Sequence, residues 1–94
     1  MDAASLPMAT GDRTRADSRA YVAAATLQLA RTQLLQASKT RRCADSRLAF
    51  ETLAVSGSAI DRGLGDSANA AEITTMFSAM RSAVDNAIDV LCKP

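Results

Sequence analysis

The 94-residue chain has no histidine and no tryptophan, and its aromatic side chains are Tyr21, Phe50 and Phe77. Without histidine it lacks the commonest general base and the commonest transition-metal ligand. Cys43 and Cys92 alone cannot form a structural zinc site of the usual kind, and a nucleophilic cysteine would have no histidine to activate it. Gly57, Gly63 and Gly65 are not followed by the Gly-Lys-Ser/Thr of a phosphate loop. The longest apolar run, Ala20 to Ala25, is under a third of the roughly 20 residues that cross a bilayer. Residues 1–11 show neither the basic nor the apolar segment of a secretory signal. These absences predict a non-enzymatic protein with no metal, cofactor or membrane partner. It is expected to be cytoplasmic, with export by a route independent of a signal peptide as the alternative.

What remains is rich in alanine. Of the apolar residues 20 are alanine, which leaves 25 larger side chains to build a core. At roughly 2 kcal/mol for each well-buried one, that core only just offsets the conformational entropy of a domain this small. Partner-assisted stability is therefore expected. Nine arginines against two lysines, with abundant alanine, suggest a GC-rich coding sequence and a bacterial origin. The net charge of +1 conceals an asymmetry of +4 over residues 1–47 and −3 over 48–94. Such a split marks either a basic binding surface or two halves that neutralise each other.

The pattern predicts an all-α fold: a small antiparallel three-helix bundle over 12–94, preceded by a mobile arm over 1–11. Asp12 offers an N-cap, and no Gly or Pro interrupts Arg13 to Lys39. The first helix is expected over 13–38, with Ala20, Ala23, Leu27, Ala30, Leu34 and Ala37 on a narrow seam. A break falls within Ser38–Ser46, where Asp45 or Ser46 caps a second helix over 46–62 with Phe50, Leu53, Gly57, Ile60 and Leu64 on one face. Gly63-Leu-Gly65-Asp66 reads as the turn into a third helix over 67–91. Asn69 and Glu72 form a capping pair that could shift its start.

Three groups carry the candidate function. Val22, Leu29 and, on a flank, Leu35 of the first helix, with Met76 and Met80 of the third, are the candidate interface for another protein or a second copy. Lys39, Arg41, Arg42 and Arg47 form a basic segment able to grip phosphates. A hairpin folded about residue 65, however, sets position 45 against Asp85 and position 41 against Asp89, which would neutralise it. The same arithmetic sets Cys43 against position 87. That leaves an offset of about 7.5 Å along the axis, beyond a relaxed disulfide. Two free thiols are expected, with a Cys43–Cys92 bridge forming only if the C-terminal residues fray. The leading expectation is thus a self-associating interaction module. A nucleic-acid-binding regulator acting through 39–47 and a small substrate, chaperone or effector of a bacterial secretion system are the alternatives.

Overall fold

The computed structural model describes the backbone over residues 5–65 and 69–93 and the side chains over 16–65 and 69–93. Three helices, α1 (Ser5–Thr40), α2 (Cys43–Arg62) and α3 (Ala70–Leu91), form the expected all-α bundle. Of the segment expected as an arm, residues 1–4 lie outside the described residues and 5–11 are helical backbone. Pro7 does not prevent this. It is the third residue of α1, where backbone N–H groups have no intrahelical acceptor to lose.

The break between α1 and α2 needs neither glycine nor proline. Arg41 takes a left-handed backbone conformation, φ 60°, and its N–H donates to the Ala37 carbonyl at 2.8 Å. Arg42 is extended and caps α2 without a side-chain hydrogen bond. The hydroxyl of Thr40 fastens the corner, accepting from the Arg42 N–H at 3.3 Å and donating to the Asp45 carboxylate. Neither Asp45 nor Ser46 is the cap: α2 starts at Cys43, with Asp45 in its first turn and Ser46 buried. The Ser46 hydroxyl turns inward and donates to the Cys43 carbonyl at 2.7 Å. A side chain at positive φ costs roughly 1 kcal/mol that glycine avoids. Arg41→Gly is accordingly expected to raise the melting temperature by about 2–6 °C, since glycine's extra unfolded-state entropy offsets part of the gain. A lower melting temperature would show that the Arg41 side chain outweighs its backbone strain.

The α1 seam is as expected: Ala23, Leu27, Ala30 and Ala37 are buried, with Ala20 and Leu34 partly so. On α2 the expected face is only one edge of the contact. The buried residues are Ser46, Ala49, Leu53, Ser56 and Ala59, whereas Phe50 stays 43% exposed. Alanine and serine allow close approach of two helix backbones. The hydroxyls of Thr26 and Ser56 hydrogen-bond each other across the α1–α2 contact, so burial of Ser56 leaves no orphan polar group. Phe50, Leu53, Gly57 and Ile60 instead border α3. There the Phe77 ring lies over Gly57, 2.9 Å from where a Cβ would stand.

The α2–α3 connection is longer than a tight turn. Gly63 and Gly65 take φ values of 100° and 58°, open to glycine and costly to other residues. Leu64 between them is buried. Arg19 of α1 donates from Nε to the Gly63 carbonyl at 2.6 Å. Asp66, Ser67 and Ala68 lie outside the described residues, and α3 begins at Ala70 with Asn69 at its cap. Gly57 against Phe77 and Cys43 against Cys92 centre the hairpin near residue 67. That shift from residue 65 changes the expected register by four to five residues. It follows from a connection that buries a leucine before the chain reverses.

Candidate functional site

The shifted register settles the cysteines. Cys43 and Cys92 form a disulfide with their Cα atoms 4.8 Å apart, which corrects the expectation of free thiols. Cys43 opens α2 and Cys92 closes α3, so the bridge ties the end of the third helix to the α1–α2 corner.

It also removes the expected neutralisation of the basic segment. Lys39, Arg41, Arg42 and Arg47 are all exposed. Asp85 pairs on its own helix with Arg81 at 3.9 Å, both more than half exposed. Arg47 and Asp85 border one shallow depression, yet among the described residues neither Asp85 nor Asp89 forms an ion pair with residues 39–47. The aspartates opposite the corner were misplaced by the same few residues of register as the cysteines.

The candidate interface residues divide. Val22, Leu29, Leu35 and Met76 are 41–56% exposed. Met80 instead lies partly buried against the core, and its replacement would test folding before association. Leu35 does not share the Val22–Leu29 strip, because six residues from Leu29 rotate it by about 240° to another side of α1. Two α2 residues outside the original candidate set complete the strip: Leu48 and Val55, 47% and 48% exposed. Val22 and Val55 line one groove of about 470 Å³ with Ser18, Ser58, Ala59 and Arg62. Leu29 lies seven residues along α1 from Val22, and Leu48 lies seven residues back along α2 from Val55. Because the helices are antiparallel, both steps run two turns toward the Arg41–Arg42 corner, about 10.5 Å. The result is two aliphatic rungs, Val22–Val55 and Leu29–Leu48. The groove at the first rung is walled by α1 and α2 without α3. Gln33, one turn beyond Leu29, has a buried Oε1 with no hydrogen-bond partner.

The signal for these rungs was the seven-residue spacing within each helix. It was masked on α2 by the stronger Phe50–Leu53–Ile60 pattern.

A second depression, about 480 Å³, lies between α2 and α3 and includes Phe50, Leu53, Phe77, Asp61, Arg62 and Arg81. Among the described residues, no group of three His, Cys, Asp or Glu side chains is placed to hold a metal ion. No helix of the described residues is long and apolar enough to cross a membrane. Compared with protein-family models, curated proteins and solved structures, the chain matches none.

Proposed function

We propose that this chain is a non-enzymatic interaction module that associates with a second copy of itself through the α1–α2 groove. The observation that carries the reading is the pair of half-exposed aliphatic rungs, Val22–Val55 and Leu29–Leu48, on helices whose mutual contact is already satisfied by alanine, leucine and serine. Apolar residues repeating every seven positions form the seam along which helices pack on further helices. The pattern also suits a two-fold contact. Under a two-fold axis that reverses helix direction, the leucine rung of one copy meets the valine rung of the other, as an isologous interface requires. A thin, alanine-rich core gives such association a stabilising role. The Cys43–Cys92 bridge favours a compartment that keeps disulfides oxidised over a reducing cytoplasm.

Light scattering coupled to size-exclusion chromatography tests the association. The wild-type chain is expected to elute as a dimer at micromolar concentration. Val22→Ser with Val55→Ser is expected to elute as a monomer with unchanged helical circular dichroism, since both positions are about half exposed. A wild-type monomer at every concentration, or a dimer indifferent to the double substitution, would overturn the reading.

A further inference from the structure

The blunt end of the bundle at the α1–α2 corner gathers charge of one sign. Lys39, Arg41, Arg42 and Arg47 are exposed there. The Cys43–Cys92 bridge brings the end of α3 to the same place, so exposed Lys93 joins them. The bundle is 19 × 18 Å across, so these cations share one small tip. The nearby carboxylates do not cancel them. Asp45 is half-buried and accepts a hydrogen bond from Thr40. Asp85 is engaged by Arg81, and Asp89 and Glu51, the latter one turn along α2 from Arg47, are two exposed charges against five. Arg41 is moreover held at φ 60°, a conformation in which glycine or asparagine would be easier, and it is exposed at the corner. Strained backbone that the fold tolerates is a recurrent mark of functional positions.

We propose that this tip is a docking surface for an anionic, phosphate-bearing lipid bilayer, held by electrostatic attraction without insertion. A cluster of several arginines and lysines is the pattern that anionic headgroups attract. The shape selects the bilayer over a nucleic acid. The tip is a blunt end made by a two-residue corner and a bridged helix terminus, with no projecting helix or strand to enter a groove. The aromatic ring nearest the cations is Phe50, three residues from Arg47 on the flank of α2, a single ring where strand binding stacks successive bases on several, and Tyr21 lies some 30 Å back along α1. The surface is independent of the aliphatic groove, which lies along the side of the bundle.

Co-sedimentation of the oxidised full chain with vesicles tests the proposal. Binding to vesicles holding about 30% phosphatidylglycerol in phosphatidylcholine is expected at low salt. A drop of at least about tenfold is expected near 0.5 M salt, where screening shortens the field to a few ångströms. Arg41→Glu with Arg42→Glu is expected to abolish binding, and Lys39→Gln with Arg47→Gln to weaken it, each with wild-type circular dichroism. In the dimer the two tips point to opposite ends, because the two-fold axis reverses helix direction, so a single tip meets the bilayer with or without Val22→Ser and Val55→Ser. The Arg41/Arg42 effect must persist in that monomeric background, which separates this proposal from self-association. Equal retention on pure phosphatidylcholine, binding insensitive to salt or to the arginine substitutions, or preference for a duplex oligonucleotide at equal phosphate concentration would each overturn it.

Discussion

Reduction of the Cys43–Cys92 bridge is expected to cost this protein about 4 kcal/mol, the loop-closure value for a bridge spanning 49 residues. The whole domain has on the order of 5–15 kcal/mol to lose, so reduced protein should melt about 15–30 °C below the oxidised form. The loss falls first on α3. Of its 22 residues Ile73 and Val84 are buried, while Phe77, Met80 and Ile88 pack against the core only in part. Without the bridge nothing covalent holds its far end to the α1–α2 corner. Thermal scans of oxidised, dithiothreitol-treated and Cys43→Ser/Cys92→Ser protein measure this directly. A melting temperature that moves by only a few degrees would show that packing alone holds α3. Alkylation of thiols in intact cells before lysis reads the compartment in the same experiment. An unlabelled, bridged chain is expected, and labelled thiols would place the protein in a reducing cytoplasm.

Leu27→Ala is expected to cost about 3–5 kcal/mol, near the top of the range for leucine truncation. Among the described residues Leu27 is the largest fully buried side chain. It is flanked on its seam by Ala23 and Ala30, both at 0% exposure. Relaxation into a cavity requires neighbours with side-chain freedom, and alanine has none, so the void would persist. Leu29→Ala, two residues on and half exposed, supplies the control. Its cost should stay below about 1 kcal/mol in the monomer. Denaturant titration of both variants decides the matter, and similar losses at the two positions would show that Leu27 is not the centre of the core.

The same contrast explains which parts of the fold were legible. The α1 seam could be read directly because large and small apolar residues recur at spacings of three and four, a period set by the helix itself. The α1–α2 contact face on α2 could not. Ser46, Ala49, Ser56 and Ala59 carry little hydrophobic signal, and their burial depends on how closely another backbone approaches. Val22 and Leu29 were visible as a strip. Leu48 and Val55 acquired meaning only when α2 was laid beside them, since exposure belongs to the packed pair and not to either helix alone.

Composition and local periodicity determined that the chain is all-α, that it has three helices, that its core is thin and that histidine-dependent chemistry is absent. Those properties depend on residues within a few positions of one another. Register was decided by tertiary structure. It hinges on how many residues the α2–α3 connection consumes and on Leu64 being drawn into the core. An error of about two residues there, doubled by the reversal of the chain, separates two thiols that cannot meet from a bridge. It likewise separates a neutralised corner from one that presents five cations to solvent.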